Sequence, residues 1–464
     1  MAALPFSFTP QFVLRITDQH LEKEMSQSRT DKREIFGWVM FDFANSAYTT
    51  LVVTFIYATY FVSAIAPDKI HGTALWSRGV TITAIMVALL SPLLGALADQ
   101  GKLRKTFLLI STLVMVAGTA MLNFVMPGQV YQALAWFVIS NIAFELGMVF
   151  YNAFLPDIST PRTIGRISGI GWGVGYIGGL AAMAVAMIGF INPEVPWFGL
   201  AKETGAHIRG TNLLVAAWIT VFCLPLFIFV KTRSPRSATG KPSPRSTVAL
   251  ISAGMKDIRA TFTEIRAYRE IVKLLIARMI YNDGLVTIFA FGGIYAAGTF
   301  GFTFQEIMIF GIVLNVAAGT GALIMGIFDD KLGGKTTIQI SNIVLALAAI
   351  LAVFAPDKTL FWVAGILVGF FAGPNQSASR SLLGRFVPRE KENQFFGFFA
   401  FSGKLTAFFG PLLLGILTQA FDSQRAGISV VALFFIIGGL ILSRVDEEKG
   451  MASARKLSDT RQMK

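Results

Sequence analysis

The chain has 464 residues, of which 54% are hydrophobic and only 14% charged, and it carries a net charge of +13. Its mean hydropathy is +0.62. A soluble domain has nearer ~25% charged residues, so composition excludes an ordinary water-soluble fold and predicts an all-α polytopic membrane protein.

Apolar blocks long enough to cross a bilayer as helices, about twenty residues each, recur along the chain. They predict twelve transmembrane helices at 36–62, 76–98, 106–126, 130–154, 165–191, 211–231, 271–299, 305–327, 337–355, 359–380, 394–420 and 427–443. Residues 1–34 are polar, lack the apolar stretch of a cleaved signal peptide, and are expected to be a loosely ordered cytoplasmic extension. A first six-helix half (35–231), a linker (232–270), a second six-helix half (271–444) and a cytoplasmic tail (445–464) follow. The linker opens with RSPRSATGKPSPRS, a flexible composition. Across 247–268, Ile251, Met255, Ile258, Phe262 and Ile265 recur at three and four, which predicts an amphipathic helix on the inner membrane surface.

The excess of bases has a topological pattern. Lys102, Arg104 and Lys105 follow span two, and Arg162 and Arg166 follow span four. Lys331 and Lys335 follow span eight, Arg385, Arg389 and Lys391 follow span ten, and nine more bases sit between Lys231 and Arg269. All these loops share one side if the count is twelve, and the opposite loops hold few bases, mostly beside acids. This asymmetry places both termini in the cytoplasm. It assigns the bases to topology and to contact with membrane lipid, not to nucleic acid. Cys223 is the single cysteine and excludes an internal disulfide. His20, His71 and His207 are too scattered for a metal cluster, so no metal or cofactor is expected.

The first span, FGWVMFDFANSAYTTLVVTFIYATYF, carries Asp42, Asn45, Ser46 and Thr49 within one helical face. A carboxylate facing lipid there costs ~2.5–3.5 kcal/mol on insertion scales, so this face is expected to turn towards other helices or a wet cavity. Asp42 and Asn45 are candidates for a proton site or a ligand to a cationic group. The alternative is that Asp42, near the span's end, only caps or pairs. Glu145 in span four and Lys404 in span eleven lie deep in apolar runs and are candidates on the substrate or proton pathway, or partners in a fixed ion pair. Tyr151 and Asn152, and Asn375 and Gln376, occupy matching inner ends in the two halves and are candidate cavity-lining residues.

In span five, Gly173, Gly175 and Gly178 match a dinucleotide-binding fingerprint by letter, but the fingerprint needs a preceding strand. Gly171, Gly175 and Gly179 instead recur every four residues, the close-packing pattern of membrane helices. In span seven, MIYNDGL holds Asn282 and Asp283, with Arg278 five residues before Asp283 and Gly284 after it. All three polar residues are pathway candidates. Gly284 allows a bend or a close neighbour. Arg278 either pairs with a carboxylate on another helix or snorkels to the surface.

The halves echo one another. Span two ends SPLLGALADQGKLRKT and span eight GALIMGIFDDKLGGKTT, each placing a glycine four residues before an acid and bases beyond it. Gly95, Asp99, Arg104 and Lys105, with Gly326, Asp330, Lys331 and Lys335, are therefore expected to form cytoplasmic latches. The first and seventh spans each carry an early carboxylate, Asp42 and Asp283. Repeated halves of this kind are a transporter arrangement, with the site near the midplane between them.

Six plus six spans, the basic linker and the glycine–acid loops resemble the major facilitator superfamily. GWVMFDFANSAY, SPLLGALAD, ARMIYNDGL and FAFGGIYAAGTFG resemble the branch that contains the fungal autophagy-linked vacuolar amino-acid effluxers and their bacterial relatives. The resemblance covers about residues 33–444. It implies secondary transport of a small solute, an amino acid or similar zwitterion, by a monomer in the inner membrane. Coupling to protons through Asp42, Asp283 or Glu145 and export are the accompanying expectations. A receptor or scaffold that keeps a transporter fold without moving cargo is the alternative. An enzyme is disfavoured because no metal cluster, nucleophile elbow or phosphate loop is present.

Overall fold

Hydrocarbon offers no hydrogen bonds, so an apolar block that crosses it must pair its backbone internally, which a helix does. The computed structural model describes residues 31–101, 103–231, 247–263 and 265–462, and among these there are helices and no strand. The first thirty residues, Lys102 and the Ser/Pro-rich start of the linker lie outside the described residues.

Twelve principal helices follow in chain order: α1 (Lys32–Ala47, continued by further turns to Ile65), α2 (Lys69–Gly101), α3 (Arg104–Met121), α4 (Val130–Asn152), α5 (Ile164–Ala186), α6 (Ala206–Phe229), α7 (Arg269–Phe300), α8 (Phe304–Leu332), α9 (Gly334–Phe354), α10 (Lys358–Phe386), α11 (Glu392–Leu405 and Phe409–Ala420) and α12 (Gln424–Ser443). Among the described residues, eleven helical segments are long and apolar enough to cross a membrane. The other principal helix, α10, has the length at 29 residues but a polar second half, PNQSASRSLLGRF. Asn375, Ser377, Ser379, Arg380 and Ser381 on it are all buried. Helix packing, not lipid, receives this stretch, which is why a hydropathy reading ends the span early at 380.

The two halves repeat one packing pattern. In the first, α1 lies on α6, and α3 on α4 and α6. In the second, α7 lies on α12, and α9 on α10 and α12. Between the halves, α2 pairs with α11 and α5 with α8, with α10 also against α5. The α2–α11 and α5–α8 contacts are made through glycine. A Cβ on Gly95 would strike the Asn393 carbonyl, and one on Gly169 would strike the Ala322 carbonyl and lie 3.0 Å from Gly326 Cα. Small residues let backbones approach this closely, and dispersion then holds the halves together.

Helices α1 and α11 are among those that depart from the regular spans expected of them, and α5 too ends in π-helical turns, Met187–Ile191. After Ala47, α1 passes through π-helical turns (Tyr48–Phe55), a short helix (Tyr57–Tyr60) and more π-helix (Phe61–Ile65); such turns are frequent at functional sites. Helix α11 is interrupted at residues 406–408. By contrast α7 runs unbroken past Gly284, where the glycine instead admits the ring of Phe435, 3.0 Å from where a Cβ would stand. The linker helix spans Thr247–Thr263. It lies against protein at Gly254, which touches Leu97, and at the buried Thr261, which accepts a hydrogen bond from Lys391 at 2.5 Å.

The two ends of the bundle differ. At the end opposite the linker, polar contacts stay within one half. Arg209 donates to Tyr60, Asn123 and Thr204, and Arg425 donates to the Val353 and Ala355 carbonyls. Glu306 caps α8 with Thr303 and pairs with Lys358 at 2.9 Å, and that bond holds its carboxyl below the usual range. At the linker end several polar contacts cross between halves.

Candidate functional site

A cavity of about 280 Å³ lies among α1, α4, α5 and α8. That is close to the lower end of small-molecule pockets, ~300–1,000 Å³. Its polar side is the stripe read from the first span: Asp42, Asn45, Ser46 and Thr49 all border it. Their spacing of three, four and seven puts them on one helical face. The glycine stripe of α5 is what lets that face sit so close. A Cβ at Gly175 would lie 3.0 Å from Ser46 Oγ, and one at Gly179 2.5 Å from Thr50 Oγ1. Facing them are apolar and aromatic groups, among them Phe144, Met148, Trp172, Tyr176 and Met183, while α8 contributes Asn315. Two buried polar atoms on residues of the lining have no partner among the described residues: Asn45 Oδ1 and Trp172 Nε1.

Behind Asp42 sits Arg380, on α10 of the second half. Its Nε donates to Ser168 Oγ (2.9 Å) and its Nη2 to the Ser168 carbonyl (2.8 Å). Nη1 donates to Asn152 Oδ1 (3.1 Å) and to Asp42 Oδ2 (3.3 Å). The guanidinium also lies 4.7 Å from the centre of the Trp38 ring. A cation from one half is thus held entirely by groups of the other. Sequence reading passed over Arg380 because it stood at the edge of a predicted span. The run of serines and asparagines around it, a polar helical stripe in an otherwise apolar block, was the available signal.

The other pathway candidates do not border this cavity. Glu145 and Lys404 pair with each other across the halves at 2.6 Å. Arg278 finds no carboxylate within ion-pair distance among the described residues. It is buried, donates to the Phe399 carbonyl (2.8 Å) and Ser402 Oγ (3.1 Å), and lies 3.6 Å from the centre of the Phe399 ring. Asn282 donates to the Gly403 carbonyl (3.2 Å), and Thr406 Oγ1 donates to Asp283 Oδ1 (3.1 Å). Asn282 thus serves the break in α11, where backbone groups freed by the interruption need partners, while Asp283 meets a side-chain hydroxyl at the same break. Asp283 is buried and has no ion pair among the described residues.

The four proposed lining residues pack elsewhere. Tyr151 is fully buried, stacks on Trp38 at 4.7 Å and donates to its carbonyl. Asn152 accepts from Arg380. Asn375 donates to Asn342 Oδ1 within its own half (2.8 Å), and Gln376 is half-buried. Tyr151, Asn152 and the Asn375 amide N–H thus find partners on neighbouring helices, a common fate of polar groups in bundles.

The latch residues meet the opposite half. Asp99 accepts the backbone N–H groups of Asn393 (3.2 Å) and Gln394 (2.8 Å) and the Asn393 side chain (2.6 Å), so it sits at the N-terminus of α11. Asp330 accepts the N–H groups of Gly165 (2.8 Å) and Arg166 (3.1 Å) at the N-terminus of α5. A carboxylate there meets unpaired donors and the positive end of the helix dipole. An arginine stands beside each acid. Arg104 reaches Asp157 (2.7 Å) in its own half and Glu392 (2.5 Å) in the other. Arg385 binds Asp329 (2.7 Å), nears Asp330 and Glu447, and donates to the Pro161 carbonyl across the interface (3.3 Å). Gly95 and Gly326 supply the close approach. Lys105 instead donates to the Val230 carbonyl and Lys335 to the Ser443 carbonyl, each within its own half, and Lys331 is exposed. Asp157, Asp329, Arg385 and Glu392 were not singled out as latch members from the sequence.

A family model described as vacuole effluxer Atg22 like matches residues 30–455. An uncharacterized MFS-type transporter of Bacillus subtilis (strain 168), YxiO, is 28% identical over 426 residues, covering 91% of this chain and 97% of that protein. Autophagy-related protein 22 of Yarrowia lipolytica is 22% identical over 465 residues, covering 82% and 76%. Among solved structures, the proton:xylose symporter XylE superposes with a TM-score of 0.69 at 14% identity, covering 92% of this chain and 98% of that one. FucP in its outward conformation gives 0.68 at 12%, covering 89% and 98%. The fold is that of the major facilitator superfamily, and the chain belongs to the vacuole effluxer Atg22-like family of membrane transporters.

Proposed function

We propose that this transporter moves an amino acid or similar small zwitterion across the cytoplasmic membrane as a monomer, by rocking of its two halves. The carrying observation is the polar wall of the cavity, where Asp42 borders a small, largely apolar space and Arg380 of the other half stands directly behind it, so that both signs of charge lie at one place. The linker end, closed by contacts between the halves, faces the cytoplasm in this reading, with both termini on that side. The cavity then opens outward. Export and proton coupling are part of the proposal. Asp42 is engaged by Arg380 and Glu145 by Lys404. This leaves Asp283, a buried carboxylate met by a hydroxyl, as the residue best placed to exchange a proton.

The test is counterflow. Proteoliposomes preloaded with unlabelled amino acids are expected to take up labelled ones well above empty liposomes. Asp283→Asn is expected to keep this exchange and lose accumulation driven by a pH gradient. Absence of counterflow from folded protein with any amino acid would overturn the cargo. Unimpaired pH-driven accumulation by Asp283→Asn would remove that residue from coupling.

A further inference from the structure

We propose that Arg380 is an internal bolt held by Asp42, and that the ammonium group of the cargo draws it by taking Asp42 from the guanidinium. The inference rests on the reading that the cargo carries an amine. It adds how binding is converted into opening of the linker end.

Arg380 belongs to α10, yet its hydrogen-bond partners, Asp42, Asn152 and Ser168, all lie in the first half. Its Ser168 partner in turn donates to the Ser377 carbonyl of α10 at 2.7 Å. While this knot holds, α10 cannot leave α5, and the linker end stays shut. The one charged tie in it is Asp42, and that tie is loose. At 3.3 Å it is longer than Arg104–Glu392 at 2.5 Å or Arg385–Asp329 at 2.7 Å. Charge-assisted N–H···O bonds are ordinarily ~2.7–2.9 Å. A competing cation therefore displaces less here than at either latch.

The cavity supplies a place for that competitor. Asp42 borders it, and so does Asn45, three residues on along the same face. Asn45 is only 4% exposed and its Oδ1 is unpartnered. A buried acceptor left open is a liability unless something fills it. A primary ammonium has three donors, enough to reach Asp42 and Asn45 Oδ1 together. Trp172 also borders the cavity, and its buried Nε1, a donor with no partner among the described residues, suits an oxygen on the same ligand. With Asp42 taken, Arg380 keeps only neutral acceptors. The cargo binds the released arrangement better than the bolted one, and that difference shifts the equilibrium.

The experiment reads opening through a cysteine at Ser91, in a Cys223→Ser background. Ser91 is fully buried at the interface and donates to the Gly397 carbonyl across it (3.0 Å). The purified full chain is exposed to N-ethylmaleimide with a mixture of apolar amino acids, with the matching 2-hydroxy acids, or with the matching primary amines. Amino acids and amines are expected to speed labelling severalfold, and hydroxy acids are not. The paired neutral variant Asp42→Asn/Arg380→Gln, which leaves no charge stranded, is expected to label quickly without cargo and to ignore amines. Equal acceleration by hydroxy acids overturns the proposal, as does a neutral pair that labels as slowly as the parent. If amino acids neither exchange nor speed labelling while amines do, the amino-acid cargo is wrong and ammonium displacement stands. If amines are silent too, displacement falls.

Discussion

Arg104→Ala is expected to drive the protein out of the form closed at the linker end and to abolish amino-acid counterflow. The guanidinium sits between Asp157 of its own half and Glu392 of the other, at 2.7 and 2.5 Å, and it also donates to the Ala153 carbonyl (2.8 Å) and Asn393 Oδ1 (3.0 Å). Removing it leaves Glu392, 2% exposed, beside other carboxylates and with no ion-pair partner among the described residues. Breaking a buried pair by deleting one partner costs ~3–5 kcal/mol, and each ~1.4 kcal/mol is a factor of ten. The closed form should therefore lose about two to three and a half orders of magnitude in population relative to forms that wet these acids. Glu392→Gln deletes the charge and keeps a hydrogen-bond acceptor for Arg104, so its effect should be much smaller. The measurement is maleimide labelling at Ser91→Cys without cargo, beside counterflow. Labelling of Arg104→Ala as slow as the parent would mean that this cluster does not hold the ends together.

The latch shows how far sequence carries and where it stops. Gly95 and Asp99, and Gly326 and Asp330, were readable because their offset repeats in two halves, and a repeat needs no partner to be seen. What each acid binds was not readable. Asp99 reaches residues 294 and 295 positions away, and Asp42 lies 338 positions from Arg380. Helical periodicity reports which face of a helix is apolar. It carries no register between helices of different halves. Sequence offered the bases beyond each acid as further members of the latch, with simple helix capping as the alternative; the acids accept from helix N-termini across the interface. Arg385 and Lys391 were read as topological charges after span ten, and both are buried. The polar stripe of the first span, by contrast, was legible as a cavity wall. The insertion penalty on Asp42 leaves only protein or water for it to face, whatever the partner.

Gly169→Val is expected to leave both halves folded and yet stop transport. A Cβ at 169 would strike the Ala322 carbonyl and crowd Gly326 Cα at 3.0 Å, and both belong to the other half. Backbone cannot rotate out of the way as a long side chain can. Within α5 itself the change does no harm, since valine is a better helix former than glycine. The clash therefore falls on one conformation, the one in which α5 and α8 meet. A carrier that cannot close its linker end should label rapidly at Ser91→Cys with or without cargo and show no counterflow. Gly147→Ala is the control, because a Cβ there meets Ser111 at 3.5 Å, an ordinary contact within the first half. It should transport as the parent does. Wild-type counterflow by Gly169→Val would take the α5–α8 contact out of the cycle. Loss of transport with labelling still slow would place the damage in folding rather than in closure, and a thermal melt would separate those two outcomes.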